Sequence, residues 1–256
     1  MNTLSTIEVI EKRGVLLIKL SRPEANNSIN TIFIKEILKV FIYAEKNTLI
    51  KIVVLEGNQN VFCTGMDFNS VISEGRDASI RVDSNEYYNM LKYISFCSKI
   101  IIAKVDGKVN AGGIGIIAAS DIVIAGGQAT FGLSEALFGL LPACVMPFLI
   151  KRIGVQKAQW MTLMTQEINS KRAYEIGLVD EITSNTENTL RRSVLRLLRL
   201  ESSTVLDLKD YMSKLWIISD DTQKLAVDKI TSLVESEKVQ SNIKNFVENG
   251  KFPWDK

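Results

Sequence analysis

Two glycine-containing segments and one carboxylate are the parts of this sequence whose residue types and spacing could do chemistry. Residues 63–67 (Cys-Thr-Gly-Met-Asp) and 110–115 (Asn-Ala-Gly-Gly-Ile-Gly) can each form a turn that points a backbone N–H into a cleft. Two such donors on one oxygen form an oxyanion hole, where each donor lowers a barrier by about 3 kcal/mol. Glu135 could then move a proton at the neighbouring carbon. The combination indicates enolate chemistry on a thioester.

The composition bounds the fold and excludes some classes of protein. The 256 residues are 46% hydrophobic, enough for one large domain or one domain with an appendage. A net charge of +2 gives no overall field that would attract nucleic acid. No apolar run approaches the roughly 20 residues of a membrane-spanning helix, and the first residues lack the pattern of a secretory signal. We therefore expect a cytoplasmic protein with neither a nucleic-acid nor a membrane partner.

Histidine is absent from the sequence, and this removes several mechanisms. Neither a Ser-His-Asp nor a Cys-His arrangement can form, and imidazole-based metal sites are excluded. Cys63, Cys97 and Cys144 are widely spaced and do not have the spacing of metal ligands. We therefore interpret them as reduced thiols and expect no metal site.

The elements that must position these residues alternate between strands and helices in the first two-thirds of the chain. Residues 7–11 and 15–20 flank a turn and predict a hairpin, and Asn30 can cap a helix. Three continuous apolar runs suit strands that are covered on both faces: residues 52–55, 100–103 and 121–125. The pattern predicts an α/β fold with repeating strand and helix units.

From about residue 155 onward the sequence becomes helical. Gly177 is a good helix stop, and apolar spacing predicts further helices over residues 206–218 and 225–234, with the last one ending in 246–254. We place an α/β core at residues 1–190 and a helical region at 191–256. The polar residues 69–84 follow the first glycine turn and predict either a mobile lid or a simple surface loop.

Four motifs in a fixed order resemble the crotonase (enoyl-CoA hydratase/isomerase) superfamily. They are residues 21–27, 62–67, 107–113 and 131–135, and residues 173–180 extend the resemblance nearly to the end of the chain. The resemblance implies a crotonase fold, in which repeated β-β-α units form a spiral core that is followed by a C-terminal helical trimerisation region. A homotrimer or a dimer of trimers is implied in the same way.

Within that superfamily, the sequence is most similar to the PksH-type dehydratases of polyketide β-branching cassettes. Residues 22–27, 107–113, 137–144 and 252–254 carry this closer resemblance. It implies a carbon–oxygen lyase that dehydrates 3-hydroxy-3-methylglutaryl on an acyl carrier protein to the 3-methylglutaconyl thioester. The implied partners are the carrier protein and a decarboxylase of the cassette. No cofactor is implied beyond the carrier's own phosphopantetheine arm.

The family's site can be carried onto this sequence by position. Met66 and Gly112 correspond to the two oxyanion N–H donors, and Glu135 to the acid–base residue. Gly65, Asn110 and Gly113 belong to the same turns and are assigned to substrate binding. Two simpler interpretations are that the second glycine turn serves close backbone packing and that Glu135 is only a carboxylate at the start of a helix.

One departure from the family pattern concerns a second carboxylate. Many family hydratases carry a glutamate where this chain has Gly115, so Glu135 is left alone. Our hypothesis is that Glu135 removes the α-proton and then protonates the departing hydroxyl of a tertiary alcohol. For the distal carboxylate of the substrate we predict Tyr88 and Lys92, which lie four residues apart on one helix face. Lys108 and Asn110, which flank the second glycine turn, are the alternatives.

Other functions fit part of the same pattern. A double-bond isomerase or a decarboxylase of the superfamily could use one oxyanion hole with one carboxylate, and a non-catalytic subunit could only bind the carrier protein. The helix that contains residues 190–199 carries four arginines. We interpret it as an amphipathic helix with a solvated basic face; the alternative is docking of an acidic carrier protein.

Overall fold

The computed structural model describes residues 4–67, 83–215 and 218–255. The strands are β1 (Ile7–Lys12), β2 (Val15–Leu20), β3 (Ile52–Glu56), β4 (Val61–Cys63), β5 (Ile100–Val105), β6 (Lys108–Asn110), β7 (Ile122–Gly126), β8 (Thr130–Gly132), β9 (Ile168–Asn169) and β10 (Glu181–Thr183). The helices are α1 (Thr31–Lys46), α2 (Ser84–Phe96), α3 (Gly112–Ala119), α4 (Met146–Met164), α5 (Ser170–Glu175), α6 (Thr186–Leu197), α7 (Ser202–Lys214), α8 (Asp220–Val234) and α9 (Glu237–Asn249).

The larger of two sheets has six strands in the order β1-β2-β3-β5-β7-β10. The predicted hairpin is confirmed, since β1 and β2 pair antiparallel with Ile7 opposite Leu20. The other neighbours in this sheet pair parallel. The three apolar runs form β3, β5 and β7, and β3 and β5 are almost entirely buried. Both faces of the sheet are covered, which explains why these strands do not alternate polar and apolar residues.

The smaller sheet has the order β4-β6-β8-β9. Successive units of the chain send one strand to each sheet: β3 and β4, then β5 and β6, then β7 and β8. The second unit is followed by α3, and the third by a short 3₁₀ helix and α4. This repetition confirms the predicted spiral of β-β-α units.

Helices cover the two faces of the larger sheet. The side chain of Asn30 caps α1 by accepting a hydrogen bond from the Phe33 N–H at 2.8 Å, as the sequence predicts. Together with α2 and α3, α1 packs over one face, which buries Val53, Leu55 and Ile101. The opposite face buries Ile52, Val54 and Ile100 under α6. Alternate residues of each strand therefore face different helical layers.

The C-terminal region is helical as predicted, but its element bounds differ. The last helix, α9, ends at Asn249, and Gly250 then adopts a left-handed conformation with φ 66°. The last helix thus ends within the predicted range 246–254, because the left-handed residue stops it there. The predicted boundary at residue 190 lies inside α6, which packs on the α/β core. Most of the predicted lid, residues 69–84, lies outside the described residues.

Within the described residues, the helices are too short or too polar to cross a membrane.

Candidate active site

The candidate site lies where three parallel strands of the smaller sheet end. Strand β4 ends at Cys63, β6 at Asn110 and β8 at Gly132, and the three pair parallel as neighbours, with one register shift between Val61 and Cys63. The carboxyl ends of parallel strands meet at one edge of a sheet. The two glycine turns and the segment that contains Glu135 each follow one of these strand ends, so the sheet brings together stretches of sequence that are far apart.

The first turn exposes the N–H of Met66. Gly65 has φ 91°, a conformation that favours glycine. The Ile29 N–H donates to the Gly65 carbonyl at 2.7 Å, and the Asp67 N–H donates to the Ile29 carbonyl at 3.0 Å. Because Ile29 bonds to the neighbours of Met66 on either side, the N–H of Met66 itself points away from Ile29. Met66 lines the adjacent cleft.

The second turn exposes the N–H of Gly112, the first residue of α3. Such an N–H has no partner within its own helix, and no hydrogen bond from it or from the Met66 N–H forms within the described residues. Ala111 has φ 49°, and its N–H donates to the Gly132 carbonyl at 3.0 Å, which fixes the turn to β8. The positive end of α3 adds favourable potential for an anionic oxygen.

The two turns are packed directly against each other. A Cβ atom at Gly65 would lie 2.7 Å from the Ala111 Cβ and 3.0 Å from the Gly112 nitrogen. A Cβ atom at Gly113 would lie 2.5 Å from the Cys63 carbonyl oxygen, so Gly113 allows α3 to pack on β4. The glycines therefore bring together two N–H donors that have no partner in the part of the chain that the structure describes, as an oxyanion hole requires.

An ion pair braces the first turn from behind. The Arg22 Nη2 lies 3.2 Å from the Asp67 Oδ2, and both side chains are largely buried. The Arg22 Nη1 also donates to the Ser28 carbonyl at 2.5 Å. Asp67 directly follows Met66, so its position is coupled to that of the Met66 peptide.

Glu135 begins the short 3₁₀ helix Glu135–Phe138, which Gly139 ends in a left-handed conformation. The Glu135 Oε2 atom is buried and makes no hydrogen bond within the described residues. Burial raises the pKa of this carboxyl from its usual value to about 7. Such a group can both accept and return a proton near neutral pH. The preceding residue is held by Asn110, whose Nδ2 donates to the Ser134 Oγ at 2.9 Å.

One cleft of about 910 Å³ contains these groups. Of the residues that the sequence assigns to the site, the structure brings Met66, Asn110, Gly112 and Glu135 to its wall. Gly65 and Gly113 are not part of the lining but shape the turns behind it. The volume is within the range of a small-molecule site.

Tyr88 and Lys92, the residues predicted to bind a distal carboxylate, lie elsewhere. Tyr88 is fully buried and packs on Phe148, with 5.3 Å between ring centroids. The Lys92 Nζ lies 2.8 Å from the Asp220 Oδ1, on α8. Neither side chain lines the cleft. Both residues lie on the same side of α2, and that side faces the core and α8. Helical spacing shows that two residues lie on one side of a helix, but it does not show which side faces the site.

The hydroxyl of Tyr88 leads to a prediction about stability. It is buried without a hydrogen-bond partner among the described residues, and such a group costs about 1 kcal/mol or more. We expect Tyr88→Phe to raise the free energy of unfolding by about 1 kcal/mol, measured by urea denaturation. A fall in that free energy would show that the hydroxyl has a partner in solution.

The sequence did not single out two parts of the cleft. Tyr87, next to Tyr88 on α2, lines the wall close to Gly112. A second wall comes from the C-terminal region and includes Ile243, Phe246 and Phe252. These residues pack with Phe138, just after Glu135. Phe252 belongs to the motif at residues 252–254, but no local pattern places Ile243 or Phe246 in the cleft, because their contact with Phe138 is more than 100 residues away in sequence.

The basic helix α6 packs on the face of the larger sheet opposite α2 and α3. The arginines of this stretch are exposed and do not line the cleft: Arg191, Arg192 and Arg196 lie on α6, and Arg199 lies just after its end. The structure thus places the three arginines of α6 on a solvated helical face, in agreement with the simpler interpretation of their spacing.

Comparison with known proteins gives the family. The enoyl-CoA hydratase/isomerase family profile matches residues 10–256. The bacillaene synthase dehydratase PksH of Bacillus subtilis is 41% identical over 254 residues, covering 99% of this chain and 98% of the relative. A crystal structure of PksH from Bacillus subtilis superposes with a TM-score of 0.93 at 40% identity, covering 98% of this chain and 100% of that one.

A more distant relative shows that the fold is shared widely. A crystal structure of an enoyl-CoA hydratase from Bacillus halodurans superposes with a TM-score of 0.85 at 18% identity, covering 94% of this chain and 99% of that one. The expected crotonase fold is confirmed. The chain belongs to the enoyl-CoA hydratase/isomerase (crotonase) family and is an enzyme of the hydratase and dehydratase type, a carbon–oxygen lyase.

Proposed function

We propose that the protein dehydrates 3-hydroxy-3-methylglutaryl carried on an acyl carrier protein, and so forms the 3-methylglutaconyl thioester for β-methyl branching of a polyketide. The observation that carries the proposal is the buried Glu135 carboxyl, whose Oε2 has no hydrogen-bond partner among the described residues, in one cleft with the turns of Met66 and Gly112. The similarity to PksH, named a dehydratase of bacillaene synthase, supports the choice of reaction and carrier.

The proposed reaction has two steps. The Glu135 carboxylate takes the proton from C2, and the electron pair of that C–H bond moves onto the thioester oxygen. The N–H groups of Met66 and Gly112 stabilise the resulting enolate oxygen. The enolate then reforms the carbonyl and makes a double bond between C2 and C3, while the C3–O bond breaks. Glu135 returns its proton to the departing hydroxyl, which leaves as water.

One carboxylate suffices for this substrate. A side chain at Gly115 has no room, because its Cβ would lie 2.4 Å from the Tyr87 hydroxyl. The C–O bond of a tertiary alcohol breaks more readily than that of a secondary one, because the alkene formed is more substituted. A carboxyl with a pKa of about 7 can therefore serve first as base and then as acid.

The substrate's distal carboxylate needs a positively charged partner. Among the described residues of the cleft wall, Lys108 is the one cation. Its Nζ lies 2.6 Å from the Glu167 Oε2, and both side chains are nearly half exposed. An exposed pair of this kind is weak, so a substrate carboxylate can replace Glu167.

No metal or redox cofactor is needed, since the phosphopantetheine arm belongs to the carrier protein.

The assembly that we propose is a homotrimer or hexamer, working with a carrier protein and the decarboxylase of the cassette. Support comes from the C-terminal helices, which expose large apolar side chains: Leu206, Leu208, Tyr211, Met212 and Leu225. Exposed apolar groups that lie together mark protein interfaces more often than free surface.

The decisive experiment is mass spectrometry of carrier-bound 3-hydroxy-3-methylglutaryl after incubation with the protein. Loss of one water supports the proposal, and the loss should be absent with Glu135→Gln. An unchanged mass with a migrated double bond in an enoyl thioester would indicate an isomerase. Loss of carbon dioxide from the glutaconyl thioester would indicate a decarboxylase. Carrier binding without any turnover would indicate a non-catalytic subunit.

The pH dependence follows from the raised pKa of Glu135. The base must be ionised in the free enzyme, and burial raises its pKa to about 7. We expect kcat/KM to rise with pH, about tenfold per pH unit below pH 6, and to level off above about pH 8. Stopped assays across pH 5.5–9 measure this profile. A profile that is flat between pH 6 and 8 would contradict the assignment of Glu135 as the base.

A further inference from the structure

Tyr87 places a phenol beside the oxyanion hole. The residue lies in the first turns of α2, and its side chain is 2% exposed. Its hydroxyl donates a hydrogen bond to the Gly112 carbonyl at 2.6 Å. The residue also lines the cleft that holds Glu135. A hydroxyl that donates its proton in this way keeps lone pairs that can accept another hydrogen bond.

The room for this hydroxyl exists because α3 begins with glycines. A Cβ atom at Gly112 would lie 3.3 Å from the Tyr87 hydroxyl, and a Cβ at Gly115 would lie 2.4 Å from it. Any side chain at 115 would therefore displace the phenol. The space next to the oxyanion hole is therefore filled by the Tyr87 hydroxyl, which comes from α2 rather than from α3.

The phenol stays neutral in this place. Burial raises the pKa of Tyr87 well above its usual value, and the nearby Cys144, Cys63 and Glu135 raise it further. A neutral phenol is a hydrogen-bonding group rather than a base at physiological pH. The phenol oxygen can accept a hydrogen bond from an O–H group of the ligand without removing its proton.

We propose that the Tyr87 oxygen accepts a hydrogen bond from the 3-hydroxyl of the substrate and thereby fixes the hydroxyl that leaves. This assignment rests on the proposed dehydration. The 3-hydroxyl donates a hydrogen bond to the Tyr87 oxygen. This orientation turns a lone pair of the 3-hydroxyl oxygen toward the protonated Glu135. No covalent bond to Tyr87 forms or breaks. The contact also favours binding of thioesters that carry a hydroxyl on C3, since a thioester without this hydroxyl makes no hydrogen bond to the Tyr87 oxygen.

The first test is the kinetics of Tyr87→Phe. We expect kcat/KM for dehydration to fall about tenfold, mainly through a rise in KM, because the lost hydrogen bond is already made in the bound substrate. Tyr93→Phe is the matched control. Tyr93 lies on the same helix and packs on Phe41 rather than lining the cleft, so its kcat/KM should remain that of the unchanged protein.

The second test separates substrate contact from support of the Gly112 turn. In a Glu135→Gln background, the dissociation constants of 3-hydroxy-3-methylglutaryl and 3-methylglutaryl thioesters are measured with and without Tyr87→Phe. Contact with the hydroxyl predicts that Glu135→Gln binds the hydroxylated ligand about tenfold more tightly. It also predicts that this preference disappears in Glu135→Gln/Tyr87→Phe.

Two outcomes overturn the assignment. One is a preference for the hydroxylated ligand that survives in the double variant, since Tyr87 then only supports Gly112. The other is equal binding of the two ligands by Glu135→Gln. Failure of the proposed function looks different: the unchanged protein then releases no water from the thioester, whatever residue stands at position 87.

Discussion

Glu135→Gln is expected to lower kcat for dehydration roughly a thousandfold while leaving the fold intact. An amide of the same size can neither take the proton from C2 nor return it to the departing hydroxyl. The change should cost little native contact. The Glu135 Oε2 has no hydrogen-bond partner among the described residues, and an amide oxygen can still accept the backbone hydrogen bonds that Ser134 and Glu135 give the carboxyl. Single-turnover assays with carrier-bound substrate measure the loss, and far-UV circular dichroism checks the fold.

The same variant should be more stable than the original protein at alkaline pH. Burial raises the pKa of Glu135 from 4.5 to about 7 in the folded state. A raised carboxyl pKa costs stability as the pH rises between these two values, and the full cost remains above the folded-state pKa. Glutamine avoids this cost, so we expect the free energy of unfolding to be about 1–3 kcal/mol higher at pH 8. At pH 4 the two proteins should differ little.

Glu235→Gln is the matched control for both measurements. Glu235 lines the same cleft, but it is exposed on the C-terminal side. Glu235→Gln should change kcat less than about twofold. It should also leave the free energy of unfolding at pH 8 close to that of the original protein, because an exposed carboxylate is well solvated. A Glu135→Gln protein with near-normal turnover would remove Glu135 from the mechanism.

The parts of the fold that were predictable from sequence depend on short-range patterns. Continuous apolar runs identified β3, β5 and β7, and Asn30 identified the start of α1, because burial on two faces and helix capping each leave a local signature. The glycine turns were also recognisable, since a positive φ at Gly65 restricts the residue type.

The parts that were not predictable depend on contacts between distant elements. Tyr87 and Tyr88 are adjacent and both buried, so helical spacing could not decide which of them faces the cleft. Lys92 is drawn to Asp220, which is 128 residues away in sequence. Phe246, in the second cleft wall, belongs to no motif, because any apolar residue of suitable size could pack there.

Gly65→Ala is expected to lower kcat about 100- to 1000-fold, the loss seen when one oxyanion donor is removed. The added methyl group would lie 2.7 Å from the Ala111 Cβ and 3.0 Å from the Gly112 nitrogen. Much of this contact is with backbone, which cannot rotate aside as a long side chain would. The two turns must therefore separate, and the N–H groups of Met66 and Gly112 no longer converge on one oxygen.

Stability should fall as well, by about 1–3 kcal/mol, because alanine is strained at a φ of 91°. Gly154→Ala separates this strain from the catalytic effect. Gly154 has a similar φ of 77° and nothing within 4 Å of its Cβ position, and it does not line the cleft. It should lose stability but keep kcat. If Gly65→Ala kept normal turnover, the two turns would not act together as an oxyanion hole, since the methyl group must move them apart.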